Sequence, residues 1–255
     1  MDVLSRLLAP IVSEQLGQSV VIENRPGATG TVAMASVASA PADGYTLMFT
    51  GSSFATVGLL MRNLPFSMDA FTPLSRLTIG PTILTVPSQL GPKTVAEFVA
   101  AAKAQPGKWS FGSSGVGTSV YFGGELFKMD AGIDLAHVPY RATPAIIAEL
   151  LESRIQMSIL GVTDCRQYLL SGQLRRLALS HTARMPEFPD LPTFAEVGYP
   201  NVRASNDFGI AIRADTPAPI KARLEEAYRA AVRRPDIVQR LTDIGLIVVA
   251  TSSAD

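Results

Sequence analysis

Residues Trp109 to Glu125 read W-S-F-G-S-S-G-V-G-T-S-V-Y-F-G-G-E, and their types and spacing suit the binding of a small anion. Trp109, Ser110 and Phe111 have the form of a strand end. Gly112 to Gly117 is a loop that only small residues can follow. Thr118 and Ser119 are N-cap types, and Val120 to Met129 then has helical spacing. The first N–H groups of such a helix lack partners, and its dipole adds roughly half a positive charge there. Glycines let the backbone approach a ligand and take up φ > 0. The stretch reads as half of an anion site; a strand–helix turn without a ligand would use the same residues. It contains no Gly-Lys-Ser/Thr of a phosphate loop, no G-x-G-x-x-G and no G-x-S-x-G nucleophile elbow.

Two more junctions are of the same kind. Tyr45 to Thr50 reads as a strand that runs into Gly51-Ser52-Ser53. Gln156 to Leu160 reads as another, leading into Gly161-Val162-Thr163-Asp164. In open α/β sheets, ligands sit beyond such carboxyl ends. Enzymatic candidates are thinner. His137 lies in the strand-like H-V-P-Y run and reads as structural, whereas His181 stands at a strand end and is somewhat better placed. Asp164 fits either a base or a helix cap. Arg25 fits an anion contact less well than a bond to a neighbouring carboxylate, and Asp43 before Gly44 fits a turn. Cys165 opens a helix, where a thiolate would be stabilised, but it has no visible catalytic partner and reads as a buried spectator. A binding module needs less: each charge-assisted hydrogen bond to a carboxylate contributes roughly 1.5–3 kcal/mol. Micromolar affinity corresponds to about 8 kcal/mol.

The elements that must position these junctions alternate. Asp2 to Ser13 has a helical face of Val3, Leu4, Leu7, Leu8 and Ile11, with Gly17 as its C-cap. Ser19 to Glu23 is a buried-type strand, and Thr31 to Ser39 is a helix rich in small residues. Strand character continues from Leu74 to Val86, interrupted at Gly80-Pro81. Thr94 starts a helix with Glu97 at the capping-box position. Thr143-Pro144 starts another. Leu174 to Ser180 and Ser205 to Ile212 are strands, the latter opening on Asn206 and Asp207. Helices over Pro217 to Arg233 and Pro235 to Ile244 precede a last strand, Leu246 to Ala250. Strands alternating with helices predict parallel, doubly wound α/β structure in two lobes joined by crossing strands.

The chain has 255 residues, 47% hydrophobic and 17% charged, with Lys+Arg and Asp+Glu balanced at 22 each. Nothing in that balance would draw nucleic acid or an anionic membrane. One cysteine excludes an internal disulfide, and one Cys with two His is too few for a zinc or copper site. No stretch reaches the length of a membrane span, and no leader pattern opens the chain.

Five motifs in order resemble the Bug family, the extracytoplasmic solute receptors of tripartite tricarboxylate transporters. They are L-G-Q-S-V-V-I-E-N-R-P-G-A-T-G (Leu16 to Gly30), P-A-D-G-Y-T-L (Pro41 to Leu47), F-G-S-S-G-V-G-T-S (Phe111 to Ser119), H-V-P-Y-R (His137 to Arg141) and D-L-P-T-F-A-E-V-G (Asp190 to Gly198). The resemblance spans essentially the whole chain. It implies a type II-like periplasmic binding protein: α/β, two-lobed, each lobe a doubly wound sheet flanked by helices, with the ligand in the cleft. Lobe one would be 1–86 plus 207–255 and lobe two 87–206, the lobes closing on the solute by motion about the two crossovers. It implies a small carboxylate solute, transient membrane transporter subunits as partners, a periplasmic monomer, no cofactor and no enzymatic activity. Ligand residues carried over are Asp2, Gly51, Ser52 and Ser53 from lobe one. From lobe two come Ser113, Ser114, Gly115, Gly117, Thr118, Ser119, Thr163 and Asp164, with Asn206 beside the returning crossover.

The chain departs from the family pattern. A first strand and its Gly-rich loop are expected before Asp2, which resembles the last residue of that loop, and a closing helix is expected after Asp255. A partial chain lacking a signal peptide and a central strand is therefore expected. Tyr121 stands where the family usually has histidine, Ala142 where it has glycine, and Asn206 where an aromatic residue is common. Two other roles fit the residues: a carboxylate sensor that signals to a membrane partner, and an α/β hydrolase-like enzyme using Ser113, Ser114 and His181.

Overall fold

The structure is a computed structural model and describes residues 1–61 and 63–253. The chain forms two compact units, Met1–Ile79 with Asp207–Asp255, and Gly80–Asn206. The first unit begins with α1 (Asp2–Leu16), α2 (Thr31–Ser39), β1 (Met48–Thr50), α3 (Ser53–Leu60) and β2 (Phe71–Ile79). The second contains β3 (Thr82–Pro87), α4 (Val95–Lys103), β4 (Trp109–Ser113), α5 (Ser119–Ala131), β5 (Leu135–Pro139), α6 (Thr143–Leu151), β6 (Ser158–Gly161), α7 (Val162–Leu170) and β7 (Leu174–Ser180). The first unit is completed by β8 (Phe208–Arg213), α8 (Ala218–Val232), α9 (Pro235–Asp243) and β9 (Ile247–Val248).

In the first unit, Leu4, Leu8 and Val12 recur every fourth residue of α1 and are buried against Leu74 and Leu77 of β2 and Leu224 and Tyr228 of α8. Each such side chain contributes about 1.5–3 kcal/mol by leaving water. Val3 falls off that stripe and is 69% exposed. Gly17 ends the helix at φ 68°, its N–H bonding Ser13 O at 2.9 Å. The sheet order is β1-β8-β2-β9, with every pair antiparallel. The expected parallel pattern fails here for a reason of connectivity. The chain leaves the unit at the end of β2 and returns at the start of β8, so neighbouring β8 must run back along β2. The expected strand Ser19–Glu23 has no regular structure. Its Val-rich run pairs with no described strand, and an extended segment without a ladder partner leaves its backbone groups to water.

In the second unit, β3 lies between β6 and β7 and pairs with both antiparallel. Residues 80–86, expected in the first lobe, therefore belong to this unit: Thr82 starts β3 opposite Gly161 and Ser180, the last residues of its two neighbours. Parallel pairing survives between β4 and β5, from Trp109↔Leu135 to Ser113↔Pro139, and at the Phe111↔Met157 bridge, just before β6. Thr94 caps α4 by accepting from Glu97 N at 3.1 Å while Glu97 Oε2 accepts from Lys93 N at 2.7 Å. Helix α6 is capped at Ala142, so Thr143 is its first residue rather than its cap.

Helix α5 lies on the sheet without a side chain between. A Cβ on Gly124 would stand 2.3 Å from the Phe111 ring, and one on Gly123 would stand 2.9 Å from the Ala204 methyl. Phe111 is fully buried beside Phe98 and Phe127 and cannot yield. Alanine at position 124 would gain up to about 1 kcal/mol of helix propensity, but overpacking a closed core costs about 1–3 kcal/mol. Gly124→Ala is therefore expected to lower the denaturant midpoint, and adding Phe111→Leu to recover part of the loss. A stabilised single variant would refute the close-packing account.

Candidate functional site

Strand β4 ends at Ser113, and Ser114 to Thr118 turn the chain into α5. Gly115 (φ 107°) and Gly117 (φ 93°) occupy the left-handed region that side chains avoid, which explains the glycines at those two positions. Thr118 caps α5: its hydroxyl accepts from Tyr121 N at 3.3 Å and donates to Gly115 O at 2.8 Å. Ser119 opens the helix, and its hydroxyl donates to Asn206 Oδ1 in a short hydrogen bond. Asn206 is held by its backbone, which exchanges both hydrogen bonds with Gly80 at 2.7 and 3.0 Å.

Ser119's bond leaves the amide Nδ2 of Asn206 facing Gly161, at the end of β6. There the chain turns directly into α7, with Thr163 and Asp164 in the first turn. Gly161 has φ −60° and ψ 140°, which any residue adopts. Its lack of a side chain serves space instead. A Cβ there would stand 2.6 Å from Asn206 Nδ2, 3.0 Å from Asp164 Oδ2 and 3.4 Å from Thr163 Oγ1. Burial pushes the Asp164 carboxyl up from its ordinary value, although the side chain retains solvent-exposed surface. Ser119, Thr163, Asp164 and Asn206 thus gather around one bare Cα, where the N-termini of α5 and α7 meet.

Ser113 lies underneath. It is fully buried; its Oγ accepts from Gly115 N at 3.1 Å and lies 2.7 Å from His137 Nε2. Sequence reasoning treated Ser113 as ligand-facing and missed this pair, which arises only because β4 and β5 run parallel in register. Tyr121 and Phe111 flank the imidazole, each with its ring centroid 4.9 Å away. Among the described residues no carboxylate hydrogen-bonds His137, so the pair lacks the third member of a hydrolytic triad, and its serine is buried. It props the loop from below. Ser114 has no hydrogen bond among the described residues and is partly exposed at the loop's outer turn. Burial pushes the Cys165 thiol up to about 12, where it is inert.

The first-unit residues form a separate group. The Ser52 hydroxyl accepts from Asp207 N at 3.0 Å, Gly51 O accepts from Phe54 N at 2.9 Å, and Ser53 begins α3. Asp207 pairs with Arg76 at 3.3 Å through Oδ2, while its Oδ1 is buried without a partner among the described residues. Asp2 is committed to Arg6 at 2.9 Å and Asn24 at 2.7 Å, and these bonds hold its carboxyl below the usual range. Asp2, Gly51 and Ser53 line a cavity of about 970 Å³ in this unit, walled by residues 18–26, β1, α2 and the start of α8.

Burial also holds His137 below its ordinary 6.5. The unfolded chain then binds more protons between the folded and unfolded values, so stability rises with pH across that window. The neutral imidazole's contribution is complete above the ordinary value and is lost as pH falls through it toward the folded one. Unfolding at pH 7.5 and pH 5 is expected to show a larger acid-induced loss for the native chain than for His137→Gln. Equal losses would show that His137 is not held neutral by its pocket.

Comparison with known proteins identifies the family. The model of the family described as tripartite tricarboxylate transporter family receptor matches residues 4–255. Protein BugT of Bordetella pertussis is 31% identical over 254 residues, covering 98% of this chain and 78% of that protein. R. palustris Rpa4515, solved with adipate, is 31% identical with a TM-score of 0.90, over 100% of this chain and 86% of that one. The periplasmic binding protein BugD is 26% identical with a TM-score of 0.86, over 99% and 85%. No helix among the described residues is long and apolar enough to cross a membrane. With α/β units of the two-lobed periplasmic binding fold and a family match over nearly its whole length, the chain belongs to the tripartite tricarboxylate transporter receptors, the Bug-type solute-binding proteins.

Proposed function

We propose that this receptor binds a small carboxylate outside the cytoplasm and delivers it to the membrane subunits of a tripartite tricarboxylate transporter, acting as a monomer and not as an enzyme. The observation that carries the reading is the meeting of two helix N-termini, those of α5 and α7, at Ser119, Thr163, Asp164 and Asn206. Backbone N–H groups at both ends and the amide of Asn206 supply donors without any lysine or arginine, which suits a carboxylate. The likeness to a protein solved with adipate supports that class of solute. Ser114, Gly115, Gly117 and Thr118 shape the loop above α5, and Gly51, Ser52 and Ser53 offer a second strand–helix junction. Burial of Ser113 and the absence of a carboxylate on His137 among the described residues weigh against the hydrolase reading. No observation favours a signalling role over transport.

Calorimetric titration and thermal unfolding against linear mono- and dicarboxylates test the proposal. A solute at 100 times its Kd is expected to add about 2.7 kcal/mol to stability. Ser119→Ala releases the Asn206 amide and is expected to weaken that solute about tenfold, roughly 1.4 kcal/mol. Binding of no acid, or turnover of an ester that Ser113→Ala abolishes, would sink the reading.

A further inference from the structure

Strands β4 and β5 run in register with Phe111 opposite His137, so His137 and Ser113 lie diagonally on one face of the pair. Among the described residues Ser113 Oγ has two hydrogen-bond neighbours: Gly115 N at 3.1 Å and His137 Nε2 at 2.7 Å. A backbone N–H can only donate, so the hydroxyl accepts from Gly115. Ser113 is fully buried, and the one acceptor left for its own proton among the described residues is the His137 Nε2 lone pair. That pairing fixes the neutral ring as the tautomer protonated at Nδ1. The Ser113 backbone cannot follow a change at its hydroxyl, because its carbonyl accepts from Tyr140 N at 2.8 Å beside the β4–β5 ladder. Gly115 is pinned on its other side too: its carbonyl accepts from Thr118 Oγ1 at 2.8 Å, and Thr118 caps α5.

A proton added at Nε2 reverses that bond. Imidazolium donates from both nitrogens, so Oγ would receive two N–H groups and its own hydrogen would lose its acceptor in a buried site. Rotation about the Ser113 Cα–Cβ bond relieves the conflict and drops the Gly115 N–H. We infer that His137 is a positioning residue for the loop from Ser113 to Ser119: neutral, it holds Gly115 in place through Ser113, and protonated, it releases the N-terminal end of that loop. Tyr121 of α5 and Phe111 of β4 flank the ring. Of the charged groups that face it, Glu125 of α5 raises and Lys128 of α5 lowers its proton affinity, and these two pair with each other at 3.2 Å, the ammonium lying over the Phe111 ring. Burial is the larger influence and holds the imidazole below its ordinary 6.5, so the loop is held across neutral pH and released as pH falls through the folded value. The inference rests on the receptor reading for the loop's role toward a solute, whereas the hydrogen-bond switch belongs to the free chain.

Nitrogen-15 NMR of the solute-free chain tests it, with Ser113→Ala and His137→Gln as variants. At pH 8 the His137 ring is expected to carry its proton on Nδ1 and none on Nε2. On acidification the Gly115 amide shift is expected to move with the same midpoint as the ring, below 6.5. Across that step the exchange protection of Gly115, corrected for intrinsic pH dependence, is expected to fall about tenfold, as one hydrogen bond is lost, while the Tyr140 amide stays protected. In Ser113→Ala the ring still titrates and Gly115 no longer follows it; in His137→Gln Gly115 shows no step. The signals of the native chain decide the matter if a variant does not fold. A proton on Nε2 at pH 8, a Gly115 amide indifferent to the ring, or a response that survives in Ser113→Ala overturns the inference and leaves the receptor reading standing. Carboxylate titration decides the receptor reading separately, since none of these signals requires a solute.

Discussion

Two glycines, Gly123 and Gly124, let α5 rest directly on β4 and β6, and the rest of the second unit depends on that contact. The separation they permit carries the N-terminus of α5 out over the ends of the strands, where Ser119 reaches Asn206. A methyl group between helix and strand would lift the helix and break that bond. The same economy recurs at Gly161, where one absent Cβ lets Asn206 and Asp164 approach each other's space. Helix packing and the geometry of the candidate site thus rest on one device, the missing side chain at a crowded junction.

The polar chemistry is layered in depth. Under the loop, buried Ser113 pairs with half-buried His137 and holds the backbone of Gly115. Above them, Thr118 closes the helix end on its own loop. Farther out, Ser119 and Asn206 bond each other, and Asp164 stands exposed in the first turn of α7. Hydroxyls that seem interchangeable along the sequence are therefore unequal in the fold. A buried hydroxyl must find a local partner, because leaving it unsatisfied costs about 1–3 kcal/mol, and once paired it has little left to offer a solute.

The first unit follows the same grammar with a different balance. Its long β2–β8 ladder and the α1–α8 layer give it a closed core, yet the run at 19–23 and the outer edge of β1 border a large cavity. Asp2 and Asn24, on the rim of that cavity, bond each other rather than a strand. The second unit, by contrast, ties its two sheets together through the Phe111↔Met157 bridge, so its strand ends are aligned before any helix begins.

Much of this was legible from local physics. The αL glycine that ends α1, the Thr94–Glu97 capping box, the Thr118 cap and the strand–helix junctions at residues 51, 112 and 161 depend only on neighbouring residues, and so their spacing predicts them. The five family motifs foretold the receptor family because they span the chain in order. Tertiary structure alone decided the antiparallel course of β3 and β8, which follows from where the chain crosses between units. It decided the lack of pairing at 19–23, since a strand exists only with a neighbour. It also sorted the site residues, burying Ser113 on His137 and joining Ser119 to Asn206. That last distinction depends on which side chains meet across 24 to 87 residues of sequence, and burial and partnership at such separations are properties of packing, not of spacing.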